Sequence, residues 1–188
     1  MMIELAYRYN SPNRNKGRLD YKITKIVIHH TQTDSFMSVY WTFLDPKEEK
    51  SAHYVVDKDG SIYQFVNECD TAWHCGVKGH WFNQQAIGIE IVQKDPTPFT
   101  EEQYQSVAEI IIDCCQRYNL LIEFPCDDRW MGYENAEKFN GILGHSNISK
   151  TKFDCPGENF NWDKLRAVIF ERTMHQIYEK GGKYGHEL

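Results

Sequence analysis

Two histidines and a cysteine in this chain have the types and positions expected of metal ligands. His29 follows the β-branched run at residues 23–28, His145 ends a short apolar run at residues 141–145, and Cys155 lies in the loop that comes next. Zn²⁺ is bound tetrahedrally by imidazole nitrogen and thiolate sulfur, and catalytic zinc sites keep one position for water. If the two predicted strands are neighbours in a sheet, these three side chains can meet at one zinc ion.

Glu90 is the one charged residue in a predicted strand over residues 86–92. Zinc lowers the pKa of a bound water from about 15.7 to about 7, and a nearby carboxylate is then needed to accept the water proton. Glu90 is the strand-borne candidate for that general base. On residue types and spacing alone, other interpretations stay open: the histidines as strand-end caps, Cys155 as a buried apolar residue, and Glu90 as a salt-bridge or sheet-edge carboxylate.

Strands and helices alternate along the chain, which predicts a single α/β domain built around one sheet. Asp34 or Ser35 can cap a helix that ends before Pro46, because the residue before proline avoids the helical region. A capping box of Thr100 and Gln103 predicts the start of a second helix. The remaining divisions are an N-terminal arm over residues 1–20, a hairpin over 52–66, a loop over 67–85, an insertion over 123–140, a final helix over 163–180 and a tail over 181–188.

The composition excludes several classes of protein. Of 188 residues, 41% are hydrophobic and 14% are aromatic, which is too apolar for intrinsic disorder. Because 21 Lys and Arg residues stand against 27 Asp and Glu residues, the net charge of −6 predicts no broad basic face and no nucleic-acid partner. The six cysteines include no C-x-x-C pair and predict no disulfide framework.

The hydropathy pattern bears on location. No apolar run approaches the roughly 18 residues that a transmembrane helix needs, and residues 1–22 hold no apolar signal-peptide core. The sequence therefore predicts a cytoplasmic protein without a membrane span, and we also predict a monomer. The alternative is release or export by a signal-independent route, as for a phage lysin or an effector.

Six short stretches, in order along nearly the whole chain, carry a resemblance to a known family. They are SPN at residues 11–13, IVIHHT at 26–31, SAHYVVDKDGSIYQFV at 51–66, AWHCGV at 72–77, IGIEIV at 87–92 and ILGHSNIS…DCPG within 142–157. Together they resemble the zinc-dependent N-acetylmuramoyl-L-alanine amidases, a family shared by bacterial muropeptide-recycling amidases, phage amidase lysins and peptidoglycan recognition proteins. The SAHY and AWH-x-G words make the recycling branch the nearest likeness.

The resemblance implies a central mixed β-sheet flanked by helices, a zinc cofactor, and hydrolysis of the amide between N-acetylmuramic acid and L-alanine of the stem peptide. It implies that His29, His145 and Cys155 bind Zn²⁺. It also implies that Glu90 is the catalytic carboxylate. Recycling enzymes usually have aspartate at the position of Cys155, whereas phage and animal relatives often have cysteine, whose thiolate binds zinc well.

One position departs from the family pattern. The family usually has lysine or threonine two residues before the third ligand, and this chain has Phe153 there. Because a phenyl ring donates no hydrogen bond, Lys152 becomes the predicted donor to the developing oxyanion. Lys150 and His74 are the alternatives.

The loop with the AWH word supplies the predicted substrate contacts, which are Trp73, His74 and Asn83. The predicted substrate is peptidoglycan or a soluble muropeptide. Two other interpretations stay open. A receptor-like domain would bind peptidoglycan without cleaving it, and a cysteine hydrolase would use Cys155 as its nucleophile.

Overall fold

A six-stranded mixed sheet forms the centre of the fold, in a computed structural model that describes residues 3–78 and 80–182. Helices pack on both of its faces. In chain order the elements are β1 (Tyr7–Arg8), β2 (Arg14–Asn15), β3 (Lys25–His30), α1 (Phe36–Leu44), β4 (Tyr54–Val56), β5 (Ile62–Gln64), β6 (Thr71–Ala72), α2 (Phe82–Gln85), β7 (Ala86–Ile91), α3 (Glu101–Tyr118), α4 (Tyr133–Lys138), β8 (Gly141–Gly144), α5 (His145–Ile148) and α6 (Trp162–Gly182).

The strand order β1-β5-β4-β7-β3-β8 places the chemistry-bearing strands side by side. β3 pairs in parallel with β7 and with β8, whereas β4 and β5 are antiparallel. In the register of β3 and β7, His29 lies opposite Glu90. In the register of β3 and β8, Ile28 lies opposite Gly144, so His145 follows at the same end of the sheet. Such carboxyl ends of parallel strands are common places for binding sites.

Alternation along β3 divides its residues between the two faces of the sheet. Ile26 and Ile28 belong to the larger core, with residues of α3 and α6. Val27 lies in a smaller core on the other side, with residues of α2 and α4. By the same alternation, His29 and its partner Glu90 lie on the face away from α3 and α6. The pattern of buried residues therefore determines which face carries the polar groups.

Two helices begin where local sequence predicts. The Ser35 hydroxyl caps α1 by accepting from the Ser38 amide at 3.3 Å. The Thr100 hydroxyl accepts from the Gln103 amide at 3.1 Å, and the Gln103 side-chain oxygen accepts from the Thr100 amide at 3.0 Å. This reciprocal pair satisfies amide groups that have no partner inside the helix.

The structure corrects several boundaries. The arm over residues 1–20 contributes β1 and β2, and the predicted loop over 67–85 contains β6 and α2. Three of these are two-residue strands that pair with segments far along the chain, so no local pattern reveals them. His145 begins α5 instead of ending a strand, and α6 extends to Gly182. The remaining tail, residues 183–188, lies outside the described residues, and the division into arm, insertion and tail stays a prediction.

The predicted fold class, one α/β domain with a central mixed sheet flanked by helices, is confirmed. Each helix within residues 3–78 and 80–182 is too short or too polar to span a lipid bilayer. In the same ranges no cysteine forms a disulfide, and four of the six are buried.

Candidate active site

The side chains of His29, His145 and Cys155 converge at the carboxyl ends of β3 and β8. The Nδ1 atoms of the two histidines are 3.0 Å apart, and Cys155 Sγ is 4.0 Å from His29 Nδ1. The three ligand atoms lie within 4.8 Å of one another, and all three residues are buried. In a tetrahedral zinc site two ligand nitrogens are about 3.3 Å apart, and nitrogen and sulfur about 3.6 Å. The donor set and its spacing therefore fit Zn²⁺.

Hydrogen-bond contacts of the Nε2 atoms of His145 and His29 determine which ring nitrogens are available to bind a metal. His145 Nε2 donates to the carbonyl oxygen of Cys75 at 2.8 Å, which leaves the Nδ1 lone pair for a metal. His29 Nε2 is 3.0 Å from His74 Nδ1. Burial lowers the pKa of His145 to about 4, and burial together with the neighbouring histidines lowers the pKa of His29 well below its usual value. Both rings are therefore neutral at neutral pH, as metal binding requires.

Cys155 comes from the loop between α5 and α6. The Ser146 amide donates to the Cys155 carbonyl at 2.9 Å, and the Cys155 amide donates to the Lys152 carbonyl at 3.1 Å. Burial, with a smaller contribution from Glu90, raises the pKa of the Cys155 thiol. A divalent cation reverses this shift, because a coordinated thiol loses its proton. The loop is thus fixed by its backbone, and the thiol stays protonated without a metal.

Glu90 projects from β7 next to the ligand-bearing strand. Its carboxylate oxygen Oε2 is buried and has no hydrogen-bond partner among the described residues. Burial raises the pKa of this carboxyl to about 8, against a smaller lowering by Lys152. A buried oxygen without a partner costs stability, and such groups are typical of functional sites. A pKa near neutral pH suits a group that both accepts and donates a proton.

A groove of about 770 Å³ contains the three candidate ligands and Glu90. It is also lined by Lys152, by Phe153, whose side chain is exposed, and by residues 48–51. A second cavity of about 580 Å³, between residues 125–128 and 158–166, contains none of the candidate site residues. The groove is therefore where a substrate can reach the ligands.

Trp73, His74 and Asn83 all line this groove, and each also has a hydrogen bond within the protein. Trp73 Nε1 donates to Asn15 Oδ1 at 2.7 Å. Asn83 Oδ1 accepts from the backbone amides of His74 and Cys75 at 3.2 and 2.9 Å. Asn83 therefore shapes the loop itself. The predicted roles of these three residues as substrate contacts stay predictions.

Sequence reasoning misses two contributors to the site, the Cys75 carbonyl and Gly88. A Cβ atom on Gly88 would lie 2.6 Å from Cγ of His74, so only glycine leaves room for that ring. The available signal is a glycine inside an apolar strand, which often marks the close approach of another group. A backbone carbonyl has no signal in the sequence, because every residue has one.

Known proteins of one family match this chain. A family model described as N-acetylmuramoyl-L-alanine amidase matches residues 19–158. The 1,6-anhydro-N-acetylmuramyl-L-alanine amidase of Haemophilus influenzae is 35% identical over 123 residues, which are 63% of this chain and 58% of that protein. The N-acetylmuramoyl-L-alanine amidase AmiD of Escherichia coli is 26% identical over 178 residues, which are 84% of this chain and 57% of that protein. The chain thus spans less than two thirds of the length of these curated relatives.

Solved structures have the same fold. A selenomethionine derivative of AmpD matches with a TM-score of 0.66 and 25% identity, over 90% of this chain and 99% of that one. AmiD from E. coli, in complex with the substrate anhydro-N-acetylmuramic acid-L-Ala-D-gamma-Glu-L-Lys, matches with a TM-score of 0.59 and 25% identity, over 82% of this chain and 60% of that one. These likenesses confirm the amidase-like fold and the resemblance to the recycling branch. The family model matches residues 19–158, which is most of the chain and includes every candidate ligand, so the chain belongs to the N-acetylmuramoyl-L-alanine amidase family.

Proposed function

We propose that this chain is a zinc-dependent amidase that hydrolyses the amide between N-acetylmuramic acid and L-alanine in a muropeptide or in peptidoglycan. The observation that carries the proposal is the convergence of His29, His145 and Cys155 beside an unpartnered Glu90 in an open groove. Membership of the amidase family supports it.

The three ligands suit zinc, because two neutral imidazoles and a thiolate are donors that this ion prefers. His29 and His145 would hold it through Nδ1, and Cys155 through Sγ. When bound there, Zn²⁺ supplies Lewis-acid polarisation of the scissile carbonyl and makes water acidic enough to lose a proton near neutral pH.

Glu90 is the proposed general base and general acid. Its free Oε2 accepts a proton from the attacking water and then delivers it to the nitrogen of L-alanine as the carbon–nitrogen bond breaks. The water oxygen ends in the carboxylate of the muramic lactyl group. The other product is a stem peptide with a free amino terminus.

Lys152 is the proposed donor to the oxyanion that develops on the scissile carbonyl. It lines the groove, and its charge lowers the pKa of Glu90 and of both candidate ligand histidines, as expected for an ammonium group close to the site. Phe153, at the family's usual donor position, offers no hydrogen bond. Lys152 therefore takes over a role that the family pattern assigns to its neighbour.

Replacing Lys152 by alanine is expected to lower kcat by about 10²–10³-fold, as loss of one oxyanion-hole donor does in other enzymes, with the zinc content unchanged. Lys150→Ala is the matched control, because Lys150 Nζ lies 3.9 Å from the centre of the Trp130 ring and outside the groove lining. Its kcat should match that of the unmodified protein. A Lys152→Ala variant that keeps the kcat of the unmodified protein would refute this role, and a fall in kcat for Lys150→Ala would make Lys150 the donor instead.

The activity itself is tested by mixing zinc-loaded protein with a soluble anhydro-muropeptide and, separately, with intact sacculi. Free stem peptide should be detected by mass, a chelator should stop its release, and added zinc should restore it. No product from either substrate would refute the amidase proposal and favour a receptor. Activity that survives the chelator but not a thiol-alkylating reagent would favour Cys155 as a nucleophile, which its raised pKa argues against.

The comparison of the soluble muropeptide with sacculi also indicates where in or outside the cell the protein acts. A preference for the soluble fragment fits a recycling enzyme in the cytoplasm, whereas a preference for sacculi fits a lysin or an exported effector. The cytoplasmic location, the monomeric state and the lack of a nucleic-acid partner stay predictions.

A further inference from the structure

Two adjacent residues, His74 and Cys75, contact both candidate zinc histidines from the side opposite the metal site. His74 Nδ1 is 3.0 Å from His29 Nε2, with the two rings nearly perpendicular at 85°. The Cys75 carbonyl accepts from His145 Nε2 at 2.8 Å. We infer that this segment positions both imidazole ligands, His74 through its ring and Cys75 through its backbone. The inference rests on the proposed function only in taking His29 and His145 as zinc ligands.

The contact with His74 determines which nitrogen of His29 carries the proton. His29 is 2% exposed, so a proton on Nε2 needs an acceptor from the protein, and His74 Nδ1 is at hydrogen-bond distance. With the proton there, His29 presents a bare Nδ1 to the metal. Without that acceptor the proton is better placed on Nδ1, because His145 Nδ1 lies 3.0 Å away and can accept it. That tautomer cannot bind a metal through Nδ1.

The segment is itself held from two directions. A Cβ on Gly88 would lie 2.6 Å from Cγ and 2.8 Å from Nδ1 of His74, so the ring packs directly on the backbone of β7. Asn83 Oδ1 accepts from the amides of both His74 and Cys75, which fixes the backbone that carries ring and carbonyl. Because β7 also carries Glu90, one strand supports both the general base and a ligand. In this arrangement His74 acts through His29, a role separate from the predicted contact with substrate.

Two His74 variants distinguish the contribution of the Nδ1 hydrogen-bond acceptor from that of the aromatic ring. His74→Phe keeps an aromatic ring of similar shape but has no acceptor, and His74→Asn keeps an acceptor near the position of Nδ1 but has no ring. The zinc affinity, measured by competition with a chromophoric chelator, should fall about 10–100-fold in His74→Phe, as loss of other outer-shell partners does. It should be largely restored in His74→Asn. The control His175→Phe removes an exposed histidine of α6 and should leave the affinity unchanged.

A second measurement needs no substitution. Nitrogen NMR of the zinc-loaded protein with ¹⁵N-labelled histidine should show His29 protonated at Nε2 and His74 unprotonated at Nδ1. The opposite assignment would overturn the inference even if the His74 variants fail to fold. Circular dichroism of each metal-free variant shows whether it has folded.

The outcomes also separate this inference from the proposed function. Zinc affinity and histidine protonation are measured without substrate, so a protein that binds zinc through these groups but cleaves nothing refutes the amidase and leaves the inference standing. A folded His74→Phe variant that binds zinc and cleaves substrate like the unmodified protein refutes the inference alone. A protein that binds no zinc refutes both.

Discussion

Replacing Glu90 by glutamine is expected to lower kcat for stem-peptide release by about 10²–10⁴-fold, the range that a positioned general base contributes. The glutamine amide is close in size to the carboxylate but does not take a proton from water, so zinc and substrate should still bind. The rate of peptide release measures the loss of kcat, and the zinc content of each preparation shows whether the metal still binds. Glu171→Gln, at an exposed position of α6, is the matched control and should leave kcat unchanged.

Two results would contradict this role of Glu90. A Glu90→Gln variant that keeps its zinc and most of its kcat would show that another group accepts the proton. A variant that loses zinc together with activity would show that the carboxylate serves to hold the ligands. The raised pKa of Glu90 and its unpartnered Oε2 instead support proton transfer by this carboxylate, so they favour neither of these two contrary results.

The pH dependence of unfolding of the metal-free protein provides a separate test of the burial of Glu90. Burial raises the pKa of the carboxyl to about 8 in the folded protein, from an ordinary value of 4.5. Between about pH 4.5 and pH 8, the folded protein therefore keeps a proton on Glu90 that the unfolded chain has already released. The free energy of unfolding should fall as the pH rises from about 4.5 to about 8, by up to about 1.4 kcal/mol per pH unit. Urea unfolding of metal-free Glu90→Gln should show a shallower fall over this window.

Replacing Cys155 by serine is expected to remove both zinc and activity. A neutral hydroxyl is a much poorer zinc ligand than a thiolate, so the third protein ligand is lost. The affinity should fall by more than the roughly 10–100-fold that loss of an outer-shell partner costs. Chelator competition and the rate of peptide release give the two readouts, and both should fall together.

Two further cysteine variants complete this test. Cys155→Asp supplies a carboxylate, the ligand usual in the recycling branch, and should recover zinc binding and part of the activity. Cys126→Ser changes an exposed cysteine outside the groove and should leave both unchanged. If Cys155→Ser keeps its zinc while losing activity, and Cys155→Asp recovers none, Cys155 acts as a nucleophile instead of a ligand.

Much of the fold and of the candidate site could be predicted because their signals are local. The helix starts at Ser35 and Thr100 depend on hydrogen bonds between residues three apart, so the residue types alone reveal them. His29 and His145 adjoin short apolar runs that are typical of buried strands. The short strands of the N-terminal arm escaped prediction because their pairing partners lie far along the chain.

The groups behind the ligands could not be predicted in this way. His74 meets His29 across 45 positions of the chain, and Cys75 meets His145 across 70. Both contacts depend on strand order, and the first also depends on the missing Cβ of Gly88. A carbonyl oxygen has no signature among residue types, and the pairing of two rings depends on packing.

The amino-acid sequence alone reveals the chemistry that this protein has available: two imidazoles, a thiolate and a carboxylate, in the order of a known family. It could do so because chemistry belongs to residue types. Three features become visible only in the folded protein: which nitrogen of each imidazole faces the site, how far burial shifts the pKa of Glu90, and that Oε2 of Glu90 has no hydrogen-bond partner among the described residues. They could not be predicted from residue types, because solvation and hydrogen bonding depend on which distant residues the strand register and packing bring into contact.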